Sequence, residues 1–333
     1  MSVATIIGGS GFIGTELVRQ MRDAGEQVCI VDKQRSAAFP DLWKAADVCD
    51  FRGLQEALRG TEIIFNLAAE HKDNVRPKSL YDEVNVRGAR NVCRAAEELS
   101  IGKIIFTSSV AVYGFAEPDA CEETACHPFN DYGRTKMLAE EVYKEWASRD
   151  PTRSLVIIRP TVVFGPRNRG NVYNLLNQMA SGRFVMVGNG NNIKSMAFVE
   201  NVAGFLVSAG GFGPGDHLFN YVDKPDLSMN ELVMLVKRTL GKPDRIGLRI
   251  PYAVGYAGGL LADVVAAVLH REFPVSAVRV KKFCATTQFG SNRVASTGFK
   301  PSMSLREALE RTIAYEFLGG HKREGALPLF ESE

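Results

Sequence analysis

Three polar side chains stand at spacings that could move a proton. Tyr132 and Lys136 lie four residues apart in YGRTK, at the start of a segment (132–147) whose pattern predicts a helix, so both side chains share one face. An ammonium beside a phenol favours the phenolate, which makes Tyr132 a candidate proton acceptor near neutral pH. Ser109 precedes Tyr132 by 23 residues, in TSSVAVYG just past the β-branched run KIIFT, and its hydroxyl could hydrogen-bond the same substrate oxygen. Taken alone, a Tyr/Lys pair one helical turn apart is a common surface arrangement. Its meaning depends on the elements around it.

Those elements begin at the N-terminus. Val3 to Ile7 is a short apolar run suited to a strand buried on both faces. Gly8, Gly11 and Gly14 follow as GxxGxxG, and Ile13, Leu17 and Met21 repeat every four residues, so a helix starts at the end of the glycine turn. Such a turn offers bare backbone N–H groups at a helix N-terminus, where a Cβ would hold off a dinucleotide pyrophosphate. The next strand, Gln27 to Val31, ends at Asp32, 18 residues beyond Gly14. An acid there accepts hydrogen bonds from an adenosine ribose and repels a 2′-phosphate, which favours NAD over NADP, although Lys33 and Arg35 pull the other way. A glycine triplet by itself could be an ordinary turn, but the order strand, turn, helix, strand, acid predicts dinucleotide binding.

The first half goes on repeating this unit. Asp47 to Asp50 (DVCD) ends a short third strand, and Leu54, Ala57 and Leu58 mark an amphipathic helix. Glu62 to Leu67 reads as a fourth strand, with Ala68 and Ala69 small enough for a cofactor to lie over its end. A helix is expected over 84–99, a fifth strand over Lys103 to Thr107 and another over Ser154 to Arg159. This alternation predicts an α/β fold, a Rossmann-type doubly wound parallel sheet with ligands at the carboxyl ends of its strands. Residues 1–165 read as that domain, to which later segments return. Residues 166–320 read mainly as a smaller C-terminal substrate-binding lobe, and 321–333 as a loose tail.

The motifs GGSGFIG with Asp32, DVCD, NLAA, Asn85 in VNVRGARNV, SSVAVYG, YGRTK and RPTVVFGP (159–166) occur in this order over nearly the whole chain. In them the sequence resembles the extended short-chain dehydrogenase/reductases, specifically their NAD-dependent epimerase/dehydratase branch. The resemblance implies that Ser109, Tyr132 and Lys136 are catalytic. It implies that NAD is held by Gly8, Gly11, Phe12, Ile13, Gly14, Asp32, Lys33, Leu67, Ala68, Ala69, Asn85, Thr107, Tyr132 and Lys136. Asp47 and Val48 would meet the adenine, and Pro160 to Val162 would lie beside the nicotinamide carboxamide. Ser109, Val110, Asn171, Lys194 and Arg293 would face the substrate. Asn171 could equally be a plain helix cap, and Arg293, like Lys281 and Lys282, an ordinary exposed cation. The resemblance also implies a homodimer through the helices at 84–99 and 132–147.

Dehydratases of this branch carry an Asp-Glu pair after the catalytic threonine, where this chain has Val110 and Ala111, so no carboxylate is ready to expel a hydroxyl. The same absence disfavours decarboxylation. Reversible hydride transfer remains, and the resemblance then implies an NAD-dependent epimerase of a nucleotide-diphosphate sugar, acting at carbon 4 of a UDP-hexose or UDP-N-acetylhexosamine through a keto intermediate. Related epimerases tend to show an arginine, an acid, an aromatic and a histidine where this sequence has Lys194, Ser195, Met196, Phe198 and Asn201. FVENVA (198–203) and the apolar 251–270 stretch instead resemble the 3β-hydroxysteroid dehydrogenase branch, so an alcohol dehydrogenase stays open. A non-catalytic NAD-binding scaffold is a third reading, and the intact Ser109, Tyr132 and Lys136 argue against it.

Composition narrows the rest. A chain of 333 residues can build one large α/β domain or a domain with a smaller lobe. A net charge of +2 without a long basic run gives no case for nucleic acid. The six cysteines (29, 49, 93, 121, 126 and 284) show no CxxC spacing, which reads as free thiols in a reducing cytoplasm with no metal site. The N-terminus has neither a charged n-region nor an h-region. Pro251 to His270 is the most apolar stretch; Asp263 and three glycines speak against a membrane span, so no stable insertion is expected. It reads as a buried helix of the lobe, with a membrane-skimming surface as the other reading. Ser228 and Glu231 form a capping-box pattern closed by Gly241, and a strand followed by a helix starting near Ser304 resembles the family's closing segment.

Overall fold

Short apolar runs between glycine-rich and polar turns become strands, and the amphipathic segments between them become helices. The computed structural model describes residues 3–72, 75–269, 276–319 and 329–330. In chain order the first half gives β1 (Val3–Ile7), α1 (Phe12–Asp23), β2 (Gln27–Asp32), β3 (Trp43–Ala45), α2 (Phe51–Ala57) and β4 (Ile63–Asn66). A helix then runs from α3 (Ser79–Tyr81) through a π-helical stretch at Asp82–Arg87 into α4 (Gly88–Glu98), followed by β5 (Lys103–Thr107), α5 (Asp131–Ser148) and β6 (Ser154–Pro160). The second half gives β7 (Val162–Phe164), α6 (Asn171–Ala180), β8 (Met186–Val187), β9 (Ile193–Lys194), β10 (Met196–Phe198), α7 (Val199–Ala209) and β11 (Gly215–Tyr221). It closes with β12 (Leu227–Ser228), α8 (Met229–Thr239), β13 (Arg249–Ile250), α9 (Tyr252–Leu269), α10 (Ala277–Cys284), α11 (Asn292–Ser296) and α12 (Leu305–Phe317).

Seven parallel strands form the central sheet in the order β11-β6-β5-β4-β1-β2-β3. The order reverses between β1 and β4, so the crevice at their carboxyl ends is the switch point where a doubly wound sheet takes its ligand. Because side chains alternate along a strand, Ile7, Val31, Ile64, Ile104 and Phe106 pack with α2, α4 and α5 on one face. Ile6, Ile30, Phe65, Ile105 and Ile158 pack with α1 and α7 on the other. A separate core in the second half gathers Phe164, Leu176, Met186, Leu232, Leu309 and Ile313 from α6, α8, α12 and the small strands beside them. Both α7 and β11 lie with the central sheet, although they follow the first elements of that second core in sequence.

Several local expectations need correction. The DVCD segment is a turn after β3, because the Asp47 side chain accepts from Cys49 N at 2.8 Å and Asp50 caps α2. The helix expected over 84–99 starts earlier and contains the π-helical stretch. No strand precedes Ser304: α10 occupies much of that stretch, and Thr287 and Phe289 make only isolated bridges to Lys194 and Ala120. Both expected capping boxes, at Ser228 and Ser304, are formed. The tail is held where it is described, since Phe330 exchanges backbone hydrogen bonds with Arg167 and Arg169 and its ring meets Phe12 at 5.5 Å. The rest of 321–333 lies outside the described residues. The helix at 252–269 is not buried: over residues 252–265, where side chains are described, one face of α9 is exposed. No helix among the described residues is long and apolar enough to cross a membrane.

Candidate active site

The glycine turn and the loop after β4 face each other across the switch point. Gly8 has a φ of +78°, and a Cβ there would lie 2.7 Å from Ala68 N; one at Gly14 would lie 2.6 Å from Gly8 O. These two glycines are therefore required by the protein's own packing. Gly11 is different, since a Cβ there would meet only Gly8 O, at 3.3 Å. Gly11 is also the N-cap of α1, with no side-chain cap and no acid in the first turn, so the cradle of Phe12, Ile13 and Gly14 N–H groups is left for an anion. Thr107 ends β5 at the same edge and carries a buried hydroxyl with no hydrogen-bond partner. Bare cradle and orphaned hydroxyl both fit a dinucleotide.

The acid and the small residues are fixed by backbone contacts. Asp32 is half-buried and accepts from Ser10 N at 3.1 Å and Gln34 N at 2.9 Å, while Lys33 points to solvent. Leu67 N donates to Ile7 O at 2.9 Å, and Ala68 N to the Asn66 side chain at 3.1 Å, which sets the path through Ala69. Asn85, inside the π-helical stretch, is buried and bonds Glu70 N and O at 2.8 and 3.0 Å and Thr135 Oγ1 at 2.9 Å. It ties that loop to α5, a use consistent with π-bulges gathering at sites. Val48 is buried, held by Asn91 Nδ2 on its carbonyl at 2.7 Å, and Asp47 sits beside it in the turn. Pro160 is buried at the end of β6, and Val162 beyond it is exposed.

Ser109, Tyr132 and Lys136 come together at the carboxyl ends of β5 and β6. Ser109 Oγ accepts from Ala111 N at 3.1 Å and lies close enough to the Tyr132 phenol to influence it. Asn130 caps α5 through Gly133 N at 2.8 Å, so the helix places Tyr132 in its first turn and Lys136 one turn on. Burial pushes the Tyr132 phenol above its ordinary value, and the Ser109 hydroxyl pulls it back only in part. In the free protein burial, rather than Lys136, sets the direction of the Tyr132 shift. Lys136 is itself buried, with Nζ 4.2 Å above the Phe106 ring, and burial brings its ammonium down to about 7 despite Glu140.

Glu140 is committed elsewhere. Its carboxylate accepts from Arg159 Nε at 2.8 Å, Arg159 Nη2 at 2.5 Å and Ser108 Oγ at 2.5 Å. Arg159 Nη1 then donates to the Tyr113 hydroxyl at 2.7 Å, which bonds Asn220 at 2.8 Å. This buried chain locks β5, α5, β6 and β11 together directly behind Ser109 and Lys136. Sequence reading missed it. The available signal was Glu140 itself, four residues after Lys136 on the same helical face.

Three expected substrate contacts do not join the cluster. Lys194 Nζ is spent on the Lys282 and Ala285 carbonyls, at 3.0 and 2.7 Å, at the end of α10, and burial lowers it to about 8. Arg293, on α11, pairs with Glu123 and reaches Leu218 O in the middle of β11. Asn171 is the exposed first residue of α6, whose cap is Gly170. Val110 starts the turn after Ser109 and is half-buried there. Asn201, where related epimerases tend to carry an acid, is buried and bonds Asp223 at 3.0 Å and Met303 O at 2.8 Å, a packing role. All six cysteines are free, and no group of side chains that could hold a metal occurs among the described residues.

Comparison with known proteins agrees with this geometry. Residues 4–219 match the model of the NAD dependent epimerase/dehydratase family. The chain is 48% identical over 319 residues to the N-acetyl-alpha-D-glucosaminyl-diphospho-ditrans,octacis-undecaprenol 4-epimerase of Escherichia coli O157:H7, covering 95% of this chain and 96% of that one. It is 28% identical to the mouse sterol-4-alpha-carboxylate 3-dehydrogenase, decarboxylating, over 93% of this chain and 89% of the other. The fold is shared with the UDP-glucose 4-epimerase of Thermus thermophilus, solved with NAD, at a TM-score of 0.72 and 18% identity over 98% of this chain and all of that one. The chain therefore belongs to the NAD-dependent epimerase/dehydratase family, as an enzyme of the extended short-chain dehydrogenase/reductase type with NAD as its cofactor.

Proposed function

We propose that the protein inverts carbon 4 of an N-acetylhexosamine carried on a diphosphate, with a polyprenol as the carrier. The observation that carries this reading is the gathering of Ser109, Tyr132 and buried Lys136 at the strand ends, in a chain 48% identical to an epimerase of a lipid-linked N-acetylglucosamine. A nucleotide diphosphate as carrier is the second reading, favoured by the overall likeness to UDP-sugar enzymes.

In this mechanism Tyr132 takes the proton from the hydroxyl on carbon 4, and Ser109, already oriented by Ala111 N, hydrogen-bonds the same oxygen. Bound NAD supplies the acceptor, and later the donor, of the hydride on carbon 4. Tyr132 acts as base only as a phenolate: Lys136, poised near 7, can take the phenol proton, and the ammonium so formed stabilises the phenolate that then accepts the substrate proton. The 4-keto sugar turns in the pocket, and as hydride returns to carbon 4 Tyr132 gives its proton back to the carbonyl oxygen, which becomes the new hydroxyl. Val110 and Ala111 present no acid to expel a neighbouring hydroxyl, which supports epimerisation over dehydration.

The assembly in this reading is a homodimer through α4 and α5, which lie side by side and leave Leu138 and Val142 half-covered, and the protein works in the cytoplasm. Light scattering of the purified protein checks the first point. The activity is tested by incubating the protein with N-acetylglucosaminyl-diphospho-polyprenol in detergent and, separately, with UDP-N-acetylglucosamine. Product identity and absorbance at the NADH band are followed together. The reading expects the 4-epimer to appear without net NADH. NADH rising in step with substrate loss would point to a dehydrogenase, and no conversion of either sugar would refute the proposal.

A further inference from the structure

Helix α9 departs most from what a water-facing helix should be. Its inner face approaches the rest of the protein through glycines: a Cβ at Gly255 would lie 2.6 Å from Val187 Cγ1, and one at Gly259 2.7 Å from Ala277 N. Asp263, the one charged residue of the helix, is turned inward and accepts from Ala277 N at 3.0 Å, at the start of α10. The outer face is apolar throughout its described length. Val254, Ala257, Leu260, Leu261, Val264 and Val265 are all exposed, Leu261 at 66% and Val264 at 60%. An uninterrupted apolar stripe over about three turns is larger than scattered surface hydrophobics explain.

What covers it is indicated by what continues it. Next to α9, α10 carries Arg279, Lys281 and Lys282 and no acid. Lys281 and Lys282 reach over the exposed rings of Phe115 and Phe129, at 5.4 and 4.8 Å, and those two rings are 4.6 Å apart. Phe115 lies just past the turn that Ser109 and Gly114 cap, and Phe129 lies three residues before Tyr132. The two site loops are pressed together, so that a Cβ on Gly114 would run into the His127 carbonyl oxygen. Apolar helix, cationic flank and exposed aromatic pair thus run from α9 to the loops that carry the catalytic hydroxyls.

We infer that this surface rests on an anionic phospholipid bilayer, with the apolar stripe of α9 at the headgroup boundary and the α10 cations among acidic headgroups. Apolar side chains flanked by lysine and arginine are what such an interface binds, and because Gly255, Gly259 and Asp263 hold the other side of α9 against the protein, the contact is to one leaflet. The inference deepens the proposed function and rests on its lipid carrier: a sugar diphosphate on a membrane-embedded polyprenol would meet the site beside Phe115 and Phe129 without its tail entering water.

The full-length protein should be sedimented with vesicles of phosphatidylethanolamine and phosphatidylglycerol, and with phosphatidylcholine alone. Wild type should partition onto the anionic vesicles, and more weakly at high salt. The double variant Leu261→Glu, Val264→Glu should lose roughly tenfold or more of that binding while keeping NAD affinity and thermal midpoint. A second readout avoids dependence on that variant: a polarity-sensitive fluorophore on Leu261→Cys should shift to the blue when anionic vesicles are added. Wild type that stays in the supernatant, or a label that does not respond, overturns the inference. So does an α9-mediated dimer that the double variant splits, which would make a second copy the occupant. Loss of turnover in detergent with vesicle binding intact would refute the proposed reaction and leave the docking surface standing.

Discussion

Replacing Lys136 with methionine should make the protein more stable and inactive. Lys136 is 2% exposed, and burial takes its ammonium from 10.5 to about 7. A lysine with a depressed folded value is protonated in the unfolded chain over a range where the folded state holds it neutral. The unfolded state therefore binds more protons between about pH 7 and 10.5, and stability rises with pH across that window. The penalty is full below 7 and gone above 10.5. At about 1.4 kcal/mol for each unit, it reaches roughly 4 kcal/mol near neutrality. Methionine keeps the stem over the Phe106 ring, replaces the cation contact with a sulfur one and removes the charge. We expect Lys136→Met to gain about 2–4 kcal/mol at pH 7, with the gap to wild type narrowing steadily toward pH 10. Urea unfolding of both proteins without added cofactor at pH 6.5, 8 and 9.5 measures this. A variant less stable than wild type at pH 7, or a gap that does not change with pH, would refute the burial argument.

Other substitutions separate chemistry from scaffold. Tyr132→Phe should lower turnover by about 10²–10⁴-fold while isothermal titration shows NAD binding unchanged; residual activity near wild type would remove Tyr132 from its role. Glu140→Gln leaves Arg159 charged, buried and short of a partner, and should cost about 3–5 kcal/mol in urea unfolding. Gly14→Ala, whose Cβ collides with the Gly8 carbonyl, should weaken both folding and NAD affinity, whereas Gly11→Ala should fold normally and lose affinity alone. Equal loss of stability in both alanine variants would contradict the reading of Gly11 as a site held open for a ligand.

Local rules account for what the sequence made legible. Glycine spacing, β-branched runs and capping boxes act within a few residues, which is why β5, α5 and the helix starting after Ser304 fall where the pattern puts them. The order of motifs likewise anticipates the parallel sheet and the meeting of Ser109, Tyr132 and Lys136. Features set by distant neighbours were not legible. Lys194 and Arg293 are cations whose partners come from elsewhere in the fold, the Lys282 and Ala285 carbonyls for one and Glu123 for the other. The direction of the Tyr132 shift depends on desolvation, which no spacing encodes. An apolar stretch looks the same in sequence whether protein or solvent faces it, so the exposed side of α9 needed the structure.

Hydride return to the carbon it left is the centre of the account, and a substrate deuterated at carbon 4 tests it directly. With the lipid-linked N-acetylglucosamine so labelled, mass spectrometry of the 4-epimer should find the deuterium still on that carbon and none in free reduced cofactor or water. Epimer that has lost its label to solvent or to released cofactor would contradict it.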